Sequence, residues 1–107
     1  MEIEAAHDKK SIVFLYEALG TGMLLYAINI QSGETFGQFG IAFTLFAWLL
    51  IGGPITGAHF NPSVTLGVFL SNQNYGKQGK MMAVMMGGQF TGAILGVFLA
   101  WLSMYRG

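Results

Sequence analysis

The sequence predicts an all-α membrane protein with three transmembrane helices and one re-entrant half-helix. Three observations carry that prediction. Hydrophobic residues make up 53% of the 107 and charged residues 9%, with a mean hydropathy of +0.55, whereas soluble domains carry about 25% charged residues to cover a water-facing surface. Three apolar stretches reach or approach the roughly 20 residues that a helix needs to cross a bilayer. Between the second and third lies an apolar run too short to cross, opened by Asn61-Pro62.

The same composition excludes other classes. Five basic and five acidic residues balance to a formal charge of zero, which leaves no electrostatic footprint for nucleic acid. The absence of cysteine rules out a disulfide scaffold, a thiolate nucleophile and Cys-ligated metal, and says nothing about redox compartment. No paired carboxylates, nucleophile–base arrangement or phosphate loop is present, so the chain is not expected to be an enzyme. Sixteen glycines against two prolines point to closely packed transmembrane helices.

The elements follow in order. Residues 1–11 form a polar tail of mixed sign, too acidic for a transit peptide and without a signal-peptide cleavage site. The unit proper is expected over 12–105. Its first span runs from Ile12 to about Ile30 and carries one acid, Glu17, a turn and a half inside. Gln31 to Gly37 is a short polar turn. The second span covers Phe39 to about Ile55 and is expected to end at Gly52-Gly53-Pro54, because a proline cannot continue an ideal helical ladder. Asn61 is a good N-cap and Pro62 suits the first helical position, so a half-helix is expected over 61–71. Its apolar part, Val64 to Leu70, cannot span, and its open backbone must be buried in protein or line a wet cavity. Asn72 to Lys80 reads as a polar loop and Met81 to Tyr105 as the last span. On that span Gly88, Gly92, Gly96 and Ala100 recur every four residues, a strip of small residues that lets another helix approach closely.

Charge sets the expected topology. Lys9, Lys10, Lys77 and Lys80 fall on the side of the N-terminal tail and the half-helix loop, whereas Glu34 and Arg106 fall on the other. By the positive-inside rule the lysine side faces the cytoplasm, or the matrix of a mitochondrion.

Gly57-Ala58-His59-Phe60-Asn61-Pro62-Ser63-Val64-Thr65-Leu66 resembles the SGAHxNPAVT signature of the major intrinsic proteins, the aquaporins and glycerol facilitators. Glu17-Ala18-Leu19-Gly20-Thr21 resembles the E-x-x-G-T of that family's first helix, and Gln89-Phe90-Thr91-Gly92-Ala93 the Q-x-x-G-A of its third. The resemblance covers Ser11 to about Tyr105. It implies one repeat, the N-terminal one, of a fold built from two inverted repeats whose half-helices meet tip to tip at the bilayer midplane. Exclusion of protons and cations by half-helix dipoles is the general account of aquaporin-type pores; it comes with the resemblance and not from the spacing. Two departures stand out. The chain holds a single Asn-Pro motif, with no second one and no arginine after it to narrow a pore. Ser63 also occupies the place where the family usually has Ala. The second-helix filter position is Ile41 counted back from Asn61, or Phe43 by the local Ala-Phe pair.

Each residue also has a plain structural role. As a cap, Asn61 is worth about 1 kcal/mol; under the resemblance its amide also donates to a passing solute. A carboxyl such as Glu17 within a span is costly, roughly 2.5–3.5 kcal/mol on insertion scales. A lone acid suggests a proton relay, but relays need a chain of acids or histidines, and only His59 is at hand. The resemblance assigns Glu17 instead to backbone N–H groups of the re-entrant loop, and Gln89 to bracing that loop. The Glu17 carboxyl is therefore expected to meet backbone or side-chain donors of the segment Gly57 to Thr65. His59 lacks the His or Asp neighbours of a metal site, and the resemblance places it on the cytoplasmic vestibule. The carbonyls near Gly57 and Ala58 supply acceptors along the path. Met81, Met82, Met85 and Met86 read as packing or lipid-facing filler, and Trp48, Trp101 and Tyr105 as packing or interface anchors.

The resulting expectation is a channel component. The chain contributes half of a pore for water or a small neutral solute, in contact with membrane lipid and paired with a complementary repeat. The alternative is a non-conducting accessory transmembrane subunit. No cofactor, metal or nucleic acid is expected. Beginning at Met1 and stopping two residues after Tyr105, the sequence is consistent with a natural half-protein, an N-terminal fragment or a split gene.

Overall fold

A computed structural model describes residues 10–105 as four α-helices: α1 (Lys10–Gln31), α2 (Gly37–Thr56), α3 (Pro62–Asn72) and α4 (Tyr75–Tyr105). The expectations that fall on residues 1–9 and 106–107, among them the polar tail, Lys9 and Arg106, lie outside the described residues. Three helices, α1, α2 and α4, are long and apolar enough to cross a membrane. At 11 residues, or about 16 Å at 1.5 Å per residue, α3 covers about half of a bilayer core. The fold is all-helical, consistent with one aquaporin-like repeat.

Two boundaries correct the sequence expectation. Pro54 does not end α2; the helix continues through it to Thr56. A proline so near the end removes only one late ladder bond. The stop is set by Gly57, which adopts φ +89° and closes the helix by donating its N–H to Gly53 O at 3.0 Å, the left-handed cap that glycine favours. The second correction concerns Asn72 to Lys80, expected as a loop. The connection is only Gln73 and Asn74, with Gln73 at φ +57°. Asn74 O then accepts the first helical bond from Gln78 N–H at 3.0 Å. Polarity there marks where the hydrocarbon ends, not where the helix begins.

The densest packing is between α1 and α4, and glycine makes it possible. A Cβ placed on Gly88 would sit 2.6 Å from Phe14 O, and one on Gly92 or Gly96 would overlap the carbonyls of Ala18 and Gly22. The backbone of α1 therefore lies directly on the small-residue face of α4. Below this seam Val13, Met81 and Met85 are buried and Val68 and Phe69 of α3 close over them. Two of the four clustered methionines are thus core, while Met82 and Met86 are half-buried. Trp48 packs edge-on against Phe60 with ring centroids 6.2 Å apart, whereas Trp101 and Tyr105 are exposed.

The outer side of α2 is bare. Phe39, Phe43, Phe46 and Leu50 are 59, 67, 59 and 64% exposed and alternate at spacings of four and three, so they lie on one stripe. Along α3 only Thr65 is buried.

Candidate functional site

The connection from α2 to α3 descends into the bundle and turns back at Asn61. Its depth is read from its partners: Glu17 lies roughly two turns along α1 and Gln89 roughly four turns into α4. Three of the four residues before Asn61 have left-handed backbone, namely Gly57 (φ +89°), Ala58 (+57°) and Phe60 (+53°). For non-glycine residues this costs on the order of 1–3 kcal/mol each and persists only where surroundings over-determine it.

Side chains from all four helices supply that constraint. Glu17 Oε1 accepts the Phe60 N–H at 2.9 Å and the Gln89 amide at 2.7 Å, and Glu17 Oε2 accepts the Thr56 hydroxyl at 2.5 Å. Thr56 Oγ1 in turn accepts the Ala58 N–H at 2.9 Å. Gln89 Nε2 also donates to Thr65 Oγ1 at 2.7 Å, and the same oxygen lies 2.9 Å from His59 Nδ1. Thr65 Oγ1 thus joins Gln89 and His59 in one buried network. Glu17, Thr56, Thr65 and Gln89 are each buried to 1% exposure or less. A carboxylate at this depth is tolerable only because each oxygen is bonded.

Beyond these partners the tip is open. Asn61 has extended backbone (φ −159°), its Oδ1 accepts the Ser63 N–H at 2.8 Å, and its carbonyl accepts Thr65 N–H at 3.1 Å. Pro62 occupies the first helical turn, where it has no donor to lose. With Oδ1 engaged, Nδ2 is left as the outward donor, and the side chain is exposed. An amide donor at a helix N-terminus offers hydrogen bonds and partial positive charge together. That combination suits a neutral molecule with lone pairs and disfavours a cation.

The structure brings Glu17, Gln89 and the 57–63 segment into one cluster. His59 does not bond to Glu17, so the two do not form a relay. Gly88, Gly92 and Gly96 lie apart from the tip, on the α1–α4 seam. Of the two filter candidates, Phe43 is exposed on the bare face of α2 and Ile41 is half-buried. The expected donor to Glu17 from the segment Gly57 to Thr65 is the Phe60 N–H; sequence reasoning missed Thr56, the bonds of the Thr65 hydroxyl and the seating of the Phe60 ring.

The family model described as Major intrinsic protein matches residues 8–106 of the chain. Aquaporin-1 of Rhizophagus irregularis is 40% identical over 65 residues, which cover 57% of this chain and 24% of that protein. The matched part is thus about a quarter of the relative's length. No solved structure matches the chain significantly.

Proposed function

Because this chain belongs to the major intrinsic protein family of membrane channels, we propose that it supplies one half of a pore for water or a small neutral solute. The observation that carries this reading is Asn61: its oxygen is held by Ser63 N–H, and its amide donor is presented at an exposed helix tip. In this reading Asn61, Pro62 and Ser63 form the half of the constriction that this chain provides. Gly57, Ala58 and His59 line the approach, and Glu17 and Gln89 hold them in place. The complementary half comes from a repeat of opposite orientation that covers the tip and the phenylalanine stripe of α2. The lysine bias supports a cytoplasmic or matrix side for the N-terminus and the half-helix loop.

Such a pore needs two dipole-bearing tips, and one chain provides one. Left open, the tip and the loop carbonyls would face lipid at several kcal/mol per unsatisfied group. Stopped-flow shrinkage of liposomes containing only this polypeptide is expected to show background water flux. Co-reconstitution with the C-terminal half of a full-length aquaporin is expected to raise the flux, and Asn61→Leu to abolish the rise. Fast flux from the chain alone would overturn the pairing argument and the lysine-based topology. Background flux from a correctly inserted pair would overturn the pore reading in favour of an accessory subunit.

A further inference from the structure

Glu17 and Gly20 stand three residues apart on one face of α1, and both receive the same residue of the re-entrant loop. Glu17 Oε1 takes the backbone N–H of Phe60. Gly20 takes its ring: a Cβ at Gly20 would overlap the Phe60 ring atoms, and a Cβ at Gly52 of α2 would lie 2.8 Å from Phe60 Cζ. The ring is 3% exposed, and Trp48 meets it edge-on at an interplanar angle of 85°. Two helices therefore omit a side chain where this ring enters, and a third residue closes over it. Gly53, next to Gly52, has nothing within 4 Å of where a Cβ would be, so the omission is local to the ring and not general to the end of α2.

We infer that Phe60 is the positioning residue of the half-helix, a key whose ring seats in the Gly20–Gly52 notch and thereby fixes where Asn61 is presented. The backbone bond alone cannot do this. One N–H to a carboxylate restrains a point and leaves the peptide free to pivot about it. Adding a ring on the other side of the same Cα fixes the residue in two directions. That explains how a bulky residue keeps the left-handed φ of +53°, since a pivot to ordinary backbone would withdraw either the ring or the N–H. Asn61 follows directly in the chain, so the orientation of Phe60 becomes the orientation of the cap. Glu17 and Gly20 thus act as one device, with the acid for the backbone and the glycine for the ring.

The consequence for solute passage rests on the pore reading, but the positioning itself does not, so the test measures the loop and not flux. Amide hydrogen exchange of the full chain in lipid nanodiscs would be followed over residues 57–63 and, as internal reference, over the α1–α4 seam. Phe60→Ala is expected to speed exchange of the loop at least tenfold while the seam changes less than twofold. Gly20→Ala and Gly52→Ala are expected to do the same by expelling the ring, whereas Gly53→Ala leaves the loop unchanged. The decisive comparison is a rescue: Gly52→Ala combined with Phe60→Leu, which shortens the ring, should exchange more slowly than Gly52→Ala alone. Should Gly20→Ala or Phe60→Ala fail to insert, Gly52→Ala against Gly53→Ala still decides the matter. Equal exchange in those two variants, or no rescue in the double variant, would overturn the inference whether or not the protein conducts.

Discussion

Replacing Glu17 separates the charge of its carboxyl from its shape. The side chain is fully buried and accepts three donors: the Phe60 N–H, the Gln89 amide and the Thr56 hydroxyl. Gln at this position keeps an oxygen facing Phe60 and Gln89 and turns its NH2 toward Thr56, whose hydroxyl can redirect to Gly52 O, 3.4 Å away. The bonds survive but lose their ionic component. With charged hydrogen bonds worth ~1.5–3 kcal/mol and neutral ones ~0.5–1.5, Glu17→Gln is expected to cost about 2 kcal/mol. Glu17→Ala removes the acceptor altogether. Gln89 retains Thr65 and Thr56 retains Gly52, but the Phe60 N–H is stranded at about 1–3 kcal/mol, and a cavity opens around the missing carboxyl. About 4 kcal/mol is expected in total. Interhelical bonds in a membrane are weaker on average, ~0.6 kcal/mol in one well-measured bundle, and even on that scale three lost bonds amount to about 2 kcal/mol. Equilibrium unfolding in mixed SDS micelles, followed by circular dichroism, measures the difference. A Glu17→Ala variant within 1 kcal/mol of the parent would refute the reasoning, as would a Gln variant as damaged as the Ala one.

Other substitutions test separate parts of the fold. Gly92→Leu is expected to prevent monodisperse extraction, because even a Cβ there overlaps Ala18 O, whereas Phe98→Leu on an exposed face should elute as the parent by size exclusion. Equal tolerance would remove the glycine seam from the account. Asn61→Ala is expected to cost about 1 kcal/mol in the same micelle titration through loss of the cap, and Asn61→Asp to restore most of it; no difference between them would argue against Oδ1 as a capping acceptor. Gly79→Ala, in the polar first turns of α4 with open space around it, should raise stability by up to about 1 kcal/mol, and a lower melting temperature would mean that this stretch is not a persistent helix.

How far the fold could be read from the sequence depends on how local its cause is. Asn61-Pro62 announces a helix start through residues that cap and begin it within one turn, and α3 begins there. Spans announce themselves by hydropathy, but hydropathy locates the bilayer and not the helix, so the polar turns from Tyr75 to Lys80 passed for a loop. Pro54 was a misleading stop because the chain had a better one at Gly57. The threonines were the least legible. Thr44 donates to its own helix at Gly40 O, 2.8 Å away, and sits in an apolar context much like that of Thr56 and Thr65. A threonine on a helix has this option, so composition and spacing cannot tell a self-bonded hydroxyl from one that bolts two elements together. Only the tertiary arrangement, in which Thr56 reaches Glu17 and Thr65 reaches Gln89, makes the distinction. Phe60 was hidden for a similar reason: in an apolar chain one more phenylalanine carries no signal, and its notch is formed by two glycines from distant parts of the sequence.

These interactions divide the molecule into a finished half and an open one. The α1–α4 seam is closed by glycine contact, and the polar cluster of Glu17, Thr56, Thr65 and Gln89 draws its members from α1, α2, α3 and α4. The left-handed loop and the position of Asn61 are held by hydrogen bonds from within this polypeptide. What remains open is the phenylalanine stripe of α2 and most of α3. A partner binding there would not have to order the loop, so its binding energy would not be spent on that entropy. The costly left-handed residues are held by the buried cluster, while the bare apolar surface lies along α2 and α3.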